Sequence, residues 1–281
     1  MDQIPTKAAA ADTPAPTPPP ARSELNETLR FLVKLAIAVL ILRSFLFAPF
    51  SIPSESMLPR LLIGDYLFVT KWNYGYSRWS LPYGIPPIPG RILARDPTRG
   101  DVVVFRSPEP EDHDVIKRVI GLPGDTIQVR RGQVILNGKP IPKQRVADFV
   151  VPLSANFDAQ KCGASFQDVD AAGVPVCRYP QFRETLPNGK SYMVLDQADI
   201  PQADDTGLYT VPAGNVFLMG DNRDDSADSR FPAPIGMGYI PMERIEGKAV
   251  VTFFSTNGNS AWYNPVSWFS AARLQRVGEG F

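Results

Sequence analysis

The hydrophobic pattern divides the chain into unlike stretches. A segment rich in Ala, Pro and Thr is followed by one long apolar run at 31–47, FLVKLAIAVLILRSFLF. A helix over that run spans roughly 25 Å at about 1.5 Å per residue, slightly short of a hydrocarbon layer ~30 Å thick. Its centre, 35–42, is apolar on every face, whereas a helix on a soluble surface keeps a polar one. The expectation is an uncleaved transmembrane anchor over 29–48. Lys34 and Arg43 would reach the headgroups, and Pro49 and Pro53 would stop the helix. A cleaved leader needs small residues in an Ala-x-Ala arrangement after the run, and APFSI at 48–52 offers none. Arg22, Arg30 and Lys34 put the N-terminal side in the cytoplasm and the rest of the chain across the membrane. Residues 1–28 read as a disordered cytoplasmic tail, since they cannot bury enough apolar surface to fold.

Beyond Pro59 the period changes. Short runs rich in Val, Ile and aromatics occur at 66–71, 101–106, 115–120, 216–219 and 248–254. Two more, 126–130 and 133–136, flank Arg131-Gly132, with Asn137-Gly138 as the next tight turn. These predict a mostly β protein: an antiparallel catalytic domain over 49–139 and 211–281 with a smaller β-rich subdomain, 140–210, inserted into it. The stretch 261–281 carries Trp262, Tyr263, Trp268 and Phe269, which fits either a membrane interface or core packing.

Charge narrows the function classes. The chain has 29 basic and 29 acidic residues, so it lacks the basic footprint of a nucleic-acid partner. Cys162 and Cys177 are the two cysteines; they suit a disulfide in an oxidising compartment, and two free thiols remain an alternative. No C-x-x-C pair marks a zinc or redox site. The acidic run around Asn222 lacks the alternating oxygen ligands and terminal glutamate of an EF-hand. No metal and no cofactor are expected.

The candidate chemistry lies in the serines of 52–59, IPSESMLP. Serine attacks only when a base takes its proton. The one histidine, His113, sits in a charged run, 109–114, that reads as a solvated loop. Lys117 offers another base. On a strand it shares a face with Val115 and Val119, and loss of hydration lowers a lysine's pKa. Taken alone, Lys117 reads as an edge-strand charge that reaches solvent.

Four segments in order resolve the choice. IPSESMLP at 52–59, RGDVVVF at 99–105, KRVIGLPGD at 117–125 and GDNRDDSADSR at 220–230 resemble the successive boxes of bacterial type I signal peptidases. The resemblance implies a membrane-bound serine–lysine endopeptidase that removes signal peptides from exported preproteins. It implies Ser56 as nucleophile and Lys117 as general base, with the Ser56 N–H and the Ser54 hydroxyl as oxyanion donors. Ser226 matches a hydroxyl that orients the lysine amine. Asp228 matches a supporting carboxylate, and Asp221, Arg223 and Arg230 match an ion-pair scaffold.

Substrate pockets would be lined by Phe50, Ile52, Met57, Leu61, Val115 and Ile116, with the extended peptide pairing along the backbone from Asp114 to Ile116. The implied partners are signal peptides, the lipid bilayer and the secretion translocon. The implied location is the bacterial inner membrane, crossed once, with the catalytic domain outside the cytoplasm. Glu55 departs from the pattern where glycine is common, and Asp225 where asparagine is frequent. The stretch 231–241 is longer and richer in proline than the usual link. A narrow processing peptidase and a catalytically silent binding module are the alternatives.

Overall fold

In a computed structural model the described residues are 21–108, 113–261 and 263–281. The expected tail over 1–20, the acidic run 109–112 and Trp262 lie outside them. Two compact units separate at residue 41: Met1–Ile41 and Leu42–Phe281.

Helix α1 (Ala21–Phe45) starts earlier and ends sooner than the anchor expected at 29–48. Residues 21–28 are therefore helical. Among the described residues, no helix is long and apolar enough to cross a membrane. The charges explain it: the uninterrupted apolar run between Lys34 and Arg43, 35–42, spans only about 12 Å of helix against the ~30 Å layer.

After α1 the chain turns directly into sheet. Strand β1 (Phe47–Ser51) pairs with β2 (Asp65–Thr70), Phe47 opposite Thr70. The apolar run continues through 47 and 48, but the aromatic alternation there suits a strand, and Pro49 is tolerated because β1 is an edge. Five further strands complete an antiparallel sheet of seven: β3 (Val102–Arg106), β4 (Asp114–Gly121), β5 (Asn215–Met219), β6 (Ile240–Pro241) and β7 (Ile245–Ser255). The order is β1-β2-β7-β3-β4-β5-β6. Val102–Phe105 are buried throughout, so β3, flanked on both sides, reads as a continuous apolar run.

The hairpin Thr126–Arg130/Gln133–Leu136 forms as the sequence predicts. Positive φ at Arg131 and Gly132, and again at Asn137 and Gly138, closes its turns. It is extended by Lys139–Pro140 on one side and Tyr209–Thr210 on the other.

The segment expected as an insert forms two small antiparallel sheets. One joins Lys143–Arg145, Gln181–Thr185 and Ser191–Leu195; the other joins Phe149–Pro152, Pro175–Tyr179 and Gln167–Val169. It shares its core with the rest of the chain. Leu186, Tyr192 and Val194 pack with Ile120, Ile127 and Phe217. Leu58, from the serine segment, packs with Val151, Phe157, Cys162, Cys177 and Tyr179. Cys162 and Cys177 are joined in a disulfide. At the C-terminal end the two expectations divide: Tyr263, Trp268 and Phe269 are exposed, whereas Ala271 is buried and Phe281 packs on the core.

Candidate active site

Ser56 sits in the tight turns that follow β1. Its loop is held at both ends: Leu58 N–H donates to the Glu55 carbonyl at 2.9 Å, and Asn222 N–H donates to the Ser56 carbonyl at 3.1 Å. Met57 and Leu61 anchor the loop on the sheet residues Leu67, Val69 and Val104, while Leu58 is buried against the segment of Cys162 and Cys177. Lys117 lies mid-way along β4. Its Nζ donates to Ser56 Oγ at 2.6 Å, across 61 residues of sequence, with both side chains buried.

Burial lowers the pKa of the Lys117 amine to about 8, although Asp228, Asp221 and Asp225 each favour the ammonium. At that value a minor but appreciable fraction of the amine is neutral near pH 7, and a neutral amine within reach of a serine hydroxyl can accept its proton. Ser54 Oγ is 3.4 Å from Ser56 Oγ, and Ser54 is solvent-exposed, on the open side of the nucleophile. His113 is exposed, and the base that meets Ser56 is Lys117.

The last box wraps behind the dyad. Asp228 is fully buried and accepts from Gly220 N–H at 3.0 Å, Arg230 N–H at 3.1 Å, and Arg230 Nε and Nη2 at 2.9 Å each. Burial alone pushes this carboxyl up; the Arg230 guanidinium and the two amides outweigh it and hold it below the usual carboxylate range. Asp221 receives Arg118 Nε and Nη2 at 2.7 and 2.6 Å. Arg223 reaches Glu184 with both terminal nitrogens, one at 2.7 Å, and Tyr192 OH completes the cluster at 2.8 Å from Glu184 Oε2. The sequence does not mark Glu184, which lies in the irregular 140–210 region. Its one signal is an acid placed in register with Phe182 and Leu186 on an apolar face.

Ser226 departs from expectation. Its buried Oγ makes no hydrogen bond, so the predicted contact with the Lys117 amine is not formed. It stands instead over Gly220, where an added Cβ would lie 2.3 Å from Ser226 Oγ and 2.5 Å from the Ser56 carbonyl.

Of the pocket residues, Phe50, Ile52, Met57, Leu61 and Ile116 form one apolar cluster with Leu67, Val69 and Val104. Val115 turns the other way, onto the cluster of Tyr74, Phe105 and Val119, as strand alternation requires. Asp114 is at the exposed start of β4, paired with Arg106 at 2.8 Å. Along β4, β3 pairs with 114–118 but β5 pairs only with 118–121, so the backbone of 114–117 has a strand on one side only.

The family described as "Signal peptidase, peptidase S26" matches residues 25–254. Signal peptidase I of Rickettsia typhi is 35% identical over 270 residues, covering 90% of this chain and 92% of that protein. Its counterpart from Rickettsia akari is 36% identical over 261 residues, covering 86% and 88%. A solved signal peptidase I from Enterococcus faecalis is 23% identical and covers 55% of this chain and 97% of its own, with a TM-score of 0.28.

Proposed function

Because this chain belongs to the signal peptidase family, peptidase S26, we propose that its peptide hydrolysis runs on a dyad of Ser56 and Lys117. The observation that carries the assignment is the 2.6 Å hydrogen bond from Lys117 Nζ to Ser56 Oγ inside a buried site. The neutral amine accepts the Ser56 hydroxyl proton as Oγ attacks the scissile carbonyl. The resulting ammonium gives that proton to the leaving amine, which departs and leaves an acyl-serine. Water then attacks the ester, losing its proton to the same amine, and Ser56 leaves reprotonated. Negative charge develops on the carbonyl oxygen, and the Ser56 N–H with the Ser54 hydroxyl are the donors assigned to it.

The substrates are preproteins carrying signal peptides. An extended peptide fits the unpaired edge of 114–117 as an added strand, its small side chains entering pockets formed by the apolar cluster of Phe50, Ile52, Met57, Leu61 and Ile116. The helical part of the expected anchor, 29–45, is proposed to hold the chain in the inner membrane, supported by the all-apolar circumference of 35–42 and by Trp268 and Phe269 exposed near the C-terminus. The Cys162–Cys177 disulfide supports a catalytic domain outside the reducing cytoplasm, where exported chains emerge beside the translocon.

Incubating the purified full chain in detergent with a preprotein tests the dyad. Ser56→Ala and Lys117→Ala are each expected to abolish processing while leaving the fold intact; processing at the normal rate by either variant would sink the assignment.

A further inference from the structure

The two box positions that depart from the family pattern, Glu55 and Asp225, are both acidic and both lie beside the dyad. Glu55 precedes the nucleophile, and its carbonyl accepts Leu58 N–H at 2.9 Å and Asn222 Nδ2 at 3.3 Å, so the loop fixes where its side chain leaves the backbone. Asp225 acts on the Lys117 amine, and Glu55 acts on Asp225. The other acids facing that amine have their own arginines: Asp221 pairs with Arg118, and Asp228 with Arg230. Lys117 and Lys161 both favour the ionised form of Asp225, against Glu55 and Asp224.

Lys161 therefore answers both added acids. Its Nζ is 3.5 Å from Glu55 Oε1, and its charge adds to that of Lys117 in favouring the ionised form of the exposed Asp225. The chain places it firmly. Lys161 N–H donates to the Asp158 carboxylate at 2.9 Å, and the next residue, Cys162, is bound to Cys177. Tyr179 OH donates to the Cys162 carbonyl at 3.1 Å, and these residues pack in the same cluster as Leu58, two residues beyond Ser56.

We propose that Lys161 is a positioning residue for cleavage: held by the disulfide-bonded segment, it neutralises Glu55 and Asp225 at the rim of the site. Without it, Asp225 favours the ammonium form of Lys117 unopposed, and the unpaired Glu55 carboxylate beside the nucleophile opposes the negative charge that forms on the scissile carbonyl oxygen. The inference rests on the assignment of Ser56 and Lys117 above.

The test is kcat/KM against pH at low ionic strength, for the full chain in detergent with a signal-peptide substrate. Lys161→Met is expected to move the rising limb to higher pH by about half a unit, and so to lower kcat/KM near pH 7 about threefold. Lys161→Arg is expected to keep the limb in place. In a Glu55→Gln/Asp225→Asn background, adding Lys161→Met is expected to move nothing, and in the parent chain 1 M salt is expected to shrink the shift. A Lys161→Met limb that superimposes on the parent, or a shift that persists after both acids are neutralised, overturns the proposal. Ser56→Ala and Lys117→Ala run alongside: cleavage by either points to failure of the dyad itself, whereas silent dyad variants with an unmoved limb reject Lys161 alone.

Discussion

Arg118 Nε and Nη2 meet the two carboxylate oxygens of Asp221 at 2.7 and 2.6 Å. The pair joins the residue after the proposed base to the residue after Gly220, so β4 and the last box are clamped within one step of the dyad. The guanidinium also lies over the Tyr192 ring, 4.3 Å from its centre. Both charges are buried, and a buried ion pair whose partner is removed leaves an uncompensated charge costing about 3–5 kcal/mol. We expect Asp221→Ala to lose stability of that order in urea unfolding, and to lose cleavage with it. Ser56→Ala, by contrast, should unfold close to the parent midpoint. A fully stable Asp221→Ala would show that the clamp is not structural.

Lys117 gives a pH signature in two measurements. Its amine, lowered by burial to about 8, must be neutral to take the serine proton, so cleavage should rise with pH and level off above about 8. Stability follows the same group. The folded pKa lies below the ordinary lysine value, so the folded state binds fewer protons between about 8 and 10.5 and is relatively stabilised as pH rises through that window. Below it, the buried ammonium costs about 3 kcal/mol. Lys117→Met should therefore be inactive yet more stable than the parent at pH 7, with the gain shrinking from pH 8 to 10. Thermal unfolding of both proteins across that range checks it, and a gain independent of pH would contradict the assigned shift.

Gly220 is required by space rather than by backbone conformation. A Cβ there would lie 2.3 Å from Ser226 Oγ and 2.5 Å from the Ser56 carbonyl, and that carbonyl is backbone that cannot swing aside. Gly220→Ala should push the nucleophile loop off the lysine and lower kcat/KM by about a hundredfold, since small misplacements of reacting groups have effects of that size. An active Gly220→Ala enzyme with unchanged kinetics would mean the loop has slack that the packing does not show.

Much of this was legible in the sequence because local rules agree with the global fold. The runs of Val and Ile and the Arg131-Gly132 and Asn137-Gly138 turns specify strands and hairpins through backbone preference alone, and those strands form. Ser56 and Lys117 were legible only as boxes; their meeting across 61 residues depends on pairing that no local period encodes. What escaped was set by tertiary context. Strand β1 reads as a continuation of the apolar helix until β2 supplies its partner, Phe47 opposite Thr70. Glu184 and Lys161 are ordinary surface types by composition, and only the fold shows that one is buried against Arg223 and the other faces Glu55.

Glu184 has a consequence for acid stability. It is fully buried with Arg223, which donates to it through both terminal nitrogens, and Tyr192 OH adds a bond at 2.8 Å. Burial by itself would push the carboxyl up, but the Arg223 charge and these hydrogen bonds more than offset it and hold the carboxyl below the usual range. A depressed carboxylate contributes stability that is fully present above its unfolded value, about 4.3, and is lost as pH falls toward the lower folded value. Protonation at low pH and Glu184→Gln at neutral pH should thus have the same effect, an Arg223 charge left buried without its partner. We expect Glu184→Gln to lose about 3 kcal/mol at pH 7. The difference from the parent should narrow steadily below pH 4, which urea midpoints at a series of pH values will show. Parallel curves, with the variant equally weakened at pH 7 and pH 3, would mean that the ionised carboxylate contributes nothing and that the loss reflects packing alone.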